Sequence, residues 1–572
     1  MKATPEPHNG KTSRQTAEGQ AKGGWDQSRL LTCFMGIALS LLLVCEVLLA
    51  LTPPIARDAL IHHLAIPKLW LRHGGIYEIP WADFSYYPMN IDLVYLAALY
   101  IGSDVLANLI HLFFGAATGL MIYLYLKNKI GRNWGFFGAL VFLSTPIIVR
   151  LSTMAYVDLG MTFFTTGSLL AFLQWRDGDY RDGLWLSLSA LAMGLALGSK
   201  YNALIAWFFL NLMIVFYYSR DRGNTGQALT KGILFFTLTL LVASPWYLKN
   251  LVLTGNPLYP LLERYFHHLT QPGAGRGGLI EVAASGGWFG IFQTRQLLYG
   301  EGFWETVLIP LRIFFQGCDD SDRYFDGALN PLLLIMIPLA CLKGPQRRDN
   351  LSFLLFSLYF LFMALFSEVV RVRYILPVLP FFAILTAQGT KNLAALIAGA
   401  SRWIRAPGLA GLSVLVLACL AANGLYLKNY FQAIGPLPYL IKAETRDAFL
   451  TRHLGSYPAI RYVNGNLPAD ARIYLMFLGR RGYYLDRDYR HDGTSGMERI
   501  DELAKNAGDG MRFSDRLRAL ECTHVLLRTD LFEKYLLDNY PEKTRRRLLA
   551  RMAENMTLVY ESGGYAILTL PR

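Results

Sequence analysis

Cysteine is scarce in this chain. There are six in 572 residues, at Cys33, Cys45, Cys318, Cys341, Cys419 and Cys522. None forms a C-x-x-C pair, and several sit inside apolar runs, so they read as small core residues rather than a disulfide framework or metal site. Charge is also sparse, at 17% of residues against 53% hydrophobic. A soluble globular protein of this size carries more charge. Short alternating segments of the kind that build a membrane β-barrel are missing. No internal repeat is visible, which weakens a transporter built from inverted repeats. Zinc-finger and RNA-binding signatures are absent, so nucleic acid is not an expected partner.

What is present is a series of long apolar runs. They lie at about 30–52, 104–126, 133–150, 156–175, 183–199, 201–218, 231–252, 328–342, 350–367, 374–396 and 409–430. Runs of roughly 18 to 24 residues define an α-helical polytopic membrane protein with about eleven transmembrane helices. The pair at 183–218 is nearly continuous, broken around Gly198, Ser199 and Lys200. The formal net charge of +13 falls mainly between the runs, where it acts as a topology signal beside anionic lipids. With the N-terminus in the cytoplasm, every short inside loop is basic, from Lys127, Lys129 and Arg132 through to Arg402 and Arg405. The long loops 53–103 and 253–327 then fall outside, and an odd number of spans leaves the C-terminus outside.

Three domains follow. Residues 1–28 are polar and read as a disordered cytoplasmic tail. The apolar run after them is too long for a signal-peptide core and is read as a retained helix. Residues 29–434 form the membrane domain. Residues 435–572 change character: "ARIYLMFLGRRGYYLDR" and "THVLLR" read as strands, and "MTLVYESGGYAILTL" as a hairpin around Gly563-Gly564. This is a small soluble α/β domain on the outer face.

Ionisable residues collect at the outer helix ends: Asp58, Asp158, Lys200 with Tyr201, Asn250, then Glu368, Arg371 and Arg373. Each alone equally suits a helix cap in the headgroup zone; as a set on one face they point to a site. If 57–66 is helical, Asp58 and His62 share a face and His63 points elsewhere, with Pro67 breaking the helix. A carboxylate there suits a general base on an acceptor hydroxyl, with His62 as helper. Tyr86, Tyr87, Asn250 and Asn256 are further substrate-binding candidates. Lys200, Tyr201, Arg371 and Arg373 suit a donor phosphate, because guanidinium and ammonium groups match its oxygens. His267 and His268 are weak candidates for a divalent metal ion. "PGAGRGG" (272–278) lacks the Gly-Lys-Ser/Thr ending of a phosphate loop, and "DDSDRYFDG" (319–327) lacks EF-hand spacing.

The segments "RDALIHHLAIPKLWLRHGGIY", "STMAYVDLGMTFF", "LALGSKYNALI", "SPWYLKNLVLTGNPLYP" and "RVRYILPVLPFF" together resemble the GT-C superfamily of membrane glycosyltransferases. The branch is that of protein mannosyltransferases and the bacterial aminoarabinose transferase. The resemblance implies a sugar donor on a polyprenyl phosphate, a lipid, glycan or protein acceptor, and inverting transfer at the periplasmic face of the bacterial inner membrane. It implies Asp58 as base, Asp158 as a metal or acceptor ligand, and Lys200 and Arg371 near the donor phosphate. Many relatives carry an Asp-Glu pair where Asp58 is followed by Ala59, so a mechanism needing both acids is in doubt. Asp83 is a poor match to a metal-binding acid of the aminoarabinose transferases, which leaves the metal open. A transporter or flippase, a polymerase or ligase of lipid-linked saccharides, and a non-catalytic scaffold are the alternatives.

Overall fold

The computed structural model describes residues 11–263, 266, 290–342, 344–365, 370–491 and 517–570. His267, His268, the stretch 272–278 and Glu368 lie outside them. All eleven apolar runs fall on helices. Among the described residues seven helices are long and apolar enough to cross a membrane, and the bent pair α5 (Arg132–Leu143) and α6 (Pro146–Ser152) makes an eighth if counted as one span. The pair turns through 71°. The runs at 156–175 and 183–199 are continuous helices over Asp158–Asp177 and Gly183–Leu197. The run at 328–342 is two one-turn helices with Pro338 opening the second, and proline at a first turn starts a helix afresh.

The chain divides into two compact units. The first holds most of α1 (Lys11–Ala50), the C-terminal part of α4 (Val105–Ile130), α5 and residues 291–430. Its centre is the helix Leu379–Ala398, whose first twelve residues are all buried. Gly389 lets that helix approach Met336, whose carbonyl oxygen a Cβ would meet at 2.0 Å. Polar pairs cross-link the unit: Lys129 with Asp349 at 3.1 Å, and Asn423 with Ser144 at 3.0 Å and Asn330 at 2.8 Å.

The second unit is residues 47–114, 150–290 and 431–572. In it α7 (Asp158–Asp177), α8 (Gly183–Leu197), α9 (Ala203–Arg222) and α10 (Thr225–Thr254) pack on one another. Gly194 allows the close crossing of α8 and α10, since a Cβ would lie 2.8 Å from the Thr239 carbonyl oxygen. Two short helices lie ahead of them, α2 (Ala65–His73) and α3 (Asn90–Tyr100). At eleven residues α3 is too short to span a bilayer.

The C-terminal part of this unit carries a five-stranded sheet in the order β2-β1-β3-β5-β4. The strands are β1 (Arg472–Met476), β2 (Asp488–His491), β3 (His524–Arg528), β4 (Thr557–Ser562) and β5 (Tyr565–Thr569). β1 pairs in parallel with β2 and β3, and β5 is antiparallel to β3 and β4. The β4–β5 turn is Gly563-Gly564, with φ of 60° and 80°, the left-handed geometry of a tight hairpin. β2 has the sequence DYRH, and its charges hide it from a hydropathy reading. This sheet docks on the first loop of its own unit. The Tyr483 N–H donates to the Leu60 carbonyl at 3.2 Å, and the Tyr484 hydroxyl to the Pro54 carbonyl at 2.7 Å. Lys68 donates to the carbonyls of Tyr483 and Leu485 and to Asp486, at 2.7, 3.0 and 3.0 Å.

Candidate active site

Asp58 opens a turn of unusual pitch. Residues 59–63 are a π-helix, and the Leu64 N–H returns to the Ala59 carbonyl at 2.9 Å. The regular helix restarts at Ala65, with Pro67 in its first turn, where its missing N–H costs no internal bond. The extra residue per turn changes which side chains face inward. His63, which α-helical spacing turns away from His62, is buried, and its Nδ1 lies 2.7 Å from Asp92 Oδ1. His62 is buried too and stacks on Phe84, with ring centroids 4.3 Å apart. Asp58 itself is half-exposed. Its backbone N–H donates to the Tyr156 hydroxyl at 3.2 Å.

Tyr156 links this turn to a second acid. Two residues on, Asp158 begins α7 and is fully buried, where the partial positive charge of a helix N-terminus favours a carboxylate. Its Oδ1 accepts from Lys200 Nζ at 2.6 Å. Lys200 stands in the α8–α9 turn. Gly198 just before it makes room for Asn90, whose amide nitrogen a Cβ would meet at 2.1 Å. The Tyr95 hydroxyl donates to the Tyr156 carbonyl. His111 is locked as one tautomer: Nδ1 donates to the Leu151 carbonyl at 2.7 Å, and Nε2 accepts from the Leu159 N–H at 2.9 Å. Asp92 sits within electrostatic reach of His62 and Lys200, and burial pushes its carboxyl up to about 7. Removing water penalises the charged form.

Next to Lys200 a polar layer forms. The Tyr201 hydroxyl donates to the Tyr259 carbonyl at 2.8 Å and accepts from Asn250 at 3.0 Å. Asn250, fully buried, also donates to the Tyr86 carbonyl at 2.7 Å. Tyr87 packs edge-on against Tyr201. Asn256 donates to the Leu261 carbonyl and accepts from the Leu258 N–H, at 2.7 and 2.9 Å. Both asparagines thus brace the turn after α10. The Tyr86 hydroxyl donates to Glu78 at 2.6 Å, and burial raises its pKa.

One unit therefore gathers Asp58, His62, Tyr86, Tyr87, Asp158, Lys200, Tyr201, Asn250 and Asn256. Arg371 and Arg373 belong to the other. There Arg371 pairs with Asp322 at 2.9 Å and stands 3.9 Å from Asp326, and Arg373 lies over the Tyr374 ring. The acidic turn 319–327 is thus a partner of Arg371. Asp83 stands 3.9 Å from Arg480. Among the described residues no three His, Cys, Asp or Glu side chains converge as a metal site. Sequence reasoning passed over Asp92, His111 and Tyr156, and set His63 aside as facing away from His62. Asp92 lies in "NIDLVYLAALY", and an acid in an otherwise apolar helix was the signal available.

The arrangement and the fold define a class: a multi-pass membrane protein with the GT-C fold and a small C-terminal α/β part. Residues 82–255 match the family model described as dolichyl-phosphate-mannose-protein mannosyltransferase. The structure is similar to ArnT from Cupriavidus metallidurans bound to undecaprenyl phosphate, with a TM-score of 0.53 at 16% identity, covering 94% of this chain and 98% of that one. The apo state of the same protein gives 0.50 at 14% identity, over 96% and 98%. The Archaeoglobus fulgidus oligosaccharyltransferase, in complex with Zn and sulfate, gives 0.50 at 13% identity, over 92% and 73%. No curated protein sequence matches the chain.

Proposed function

We propose that the chain is an integral membrane glycosyltransferase that moves a sugar from a polyprenyl-phosphate donor to an acceptor hydroxyl at the periplasmic face of the bacterial inner membrane. The observation that carries this reading is a half-exposed Asp58, whose backbone N–H donates to the Tyr156 hydroxyl two residues before the buried Asp158–Lys200 ion pair. The match of residues 82–255 to a mannosyltransferase family supports it. So does the GT-C fold shared with a protein solved with undecaprenyl phosphate.

In this mechanism Asp58 accepts the proton of the acceptor hydroxyl as its oxygen attacks the anomeric carbon. The bond from that carbon to the phosphate oxygen breaks on the opposite face, so the configuration inverts. The polyprenyl phosphate leaves with the electron pair. Lys200 stabilises the charge growing there, an interaction made mainly in the transition state. Asp158 holds the Lys200 side chain in place. No nucleotide is required, because the sugar–phosphate bond is the energy source.

The test is incubation of the purified protein with polyprenyl-phosphate sugars, followed by mass spectrometry of the lipid fraction. Consumption of one donor with an inverted product supports the reading. No turnover of any donor rejects it and favours a transporter or scaffold.

A further inference from the structure

Lys200 and Arg371, the two cations that the family resemblance sets near the donor phosphate, each pair with a carboxylate. Lys249 does not. One turn before the end of α10, its Nζ donates to the Ser85 carbonyl at 2.6 Å. It lies over the rings of Trp246 and Tyr86, 5.1 and 5.7 Å from their centroids. Among the described residues no carboxylate comes within ion-pair distance. Glu78, which lines the same groove, accepts from the Tyr86 hydroxyl. A half-buried ammonium flanked by carbonyl and aromatic faces, and in no ion pair among the described residues, is poised for an anion.

Lys249 forms the polar end of a groove of about 390 Å³, lined by Ile76, Tyr77, Glu78, Ser85, Tyr86, Leu248, Val252 and Leu253. The apolar wall faces outward, and Val252 is 82% exposed. On a helix long and apolar enough to cross a membrane, that exposure meets lipid, because an apolar side chain in a bilayer needs no protein cover. The groove thus has one cation beside a flank of exposed apolar side chains. Behind Lys249, Asn250 joins Tyr86 to Tyr201, next in sequence to Lys200.

We infer that this groove seats the carrier lipid of the donor: Lys249 binds the phosphate of a polyprenyl phosphate, and Ile76, Leu248, Val252 and Leu253 take the first isoprene units. The inference rests on the proposed donor class and adds where that donor enters.

The experiment uses the full-length protein in nanodiscs with a diazirine-bearing polyprenyl phosphate, with crosslinks mapped by peptide mass spectrometry. Crosslinks are expected within 76–86 and 248–253. Lys249→Gln should weaken binding at least tenfold, and Lys249→Arg should restore it. Val252→Trp, on the lipid-facing side where no core packing is lost, should block the groove and reduce crosslinking several-fold. Crosslinks confined to other helices, unchanged binding in both K249Q and V252W, or equal displacement by phosphatidylglycerol would overturn the assignment while leaving the donor class standing. No crosslink anywhere in the chain would overturn the donor class and this site together.

Discussion

Asp58 and Asp158 are two acids at the start of helical turns, about a hundred residues apart and tied through Tyr156. Their surroundings differ in kind. Asp158 is fully buried with the Lys200 ammonium at 2.6 Å, and in the proposed mechanism it holds that lysine in place. Asp58 is half-exposed on a π turn, where a carboxylate can meet a substrate and exchange a proton. In the proposed mechanism one acid serves structure and electrostatics and the other chemistry, although both look alike in sequence.

The sharpest way to break that contrast is Asp58→Asn. The amide keeps the shape and loses the base, so transfer should fall by about 10²- to 10⁴-fold, the usual contribution of a general base. Thermal unfolding should be unchanged. Retained activity would remove Asp58 from the mechanism. Asp158→Asn should instead show in both assays. It strands the Lys200 ammonium, and breaking such a pair costs about 3–5 kcal/mol where it is well buried. The double variant Asp158→Asn with Lys200→Met should recover stability in thermal unfolding without recovering turnover. Recovery of both would make the pair merely structural.

Asp92 supplies a pH test. Its folded pKa, about 7, is raised by burial above the ordinary carboxylate value of 3.8. The folded state therefore binds the extra proton between these values, and its contribution to stability, full below pH 4, is lost as pH rises through about 7. The melting temperature of the purified protein should fall over that window. Asp92→Asn, which cannot ionise, should flatten the slope, and an unchanged slope would exclude Asp92 as its source. The smallest effect belongs to the docking of the sheet. Tyr484→Phe removes one hydrogen bond to the Pro54 carbonyl beside the Asp58 turn, and should cost about 1 kcal/mol in chemical denaturation. A loss of activity far beyond that would show that the sheet aims Asp58.

Much of the fold was legible because its signals are local. Each apolar run became a helix, since length and hydropathy alone meet the demand of a bilayer core. The Gly563-Gly564 hairpin was legible for the same reason, as only glycine enters two left-handed positions cheaply. β2 was not, because its place in the sheet comes from pairing with β1 rather than from its own composition.

The candidate site divides in the same way. Asp58, Asp158 and Lys200 stood out because charge at the end of an apolar run is visible in one dimension. Which of them pair was not visible. Asp158 and Lys200 are 42 residues apart, His63 and Asp92 29, and only the packing of α3, α7 and α8 brings them together. The π turn decided the facing of His63, since one inserted residue per turn rotates every side chain after it and depends on backbone bonds that no periodicity reports. By itself the sequence determined a polytopic helical membrane protein with acids and bases at its helix ends, because burial of apolar surface and the cost of charge in lipid act residue by residue. The tertiary structure alone decided which charges neutralise one another and which, at Lys249, is left facing a groove, because ion pairing depends on distance in space.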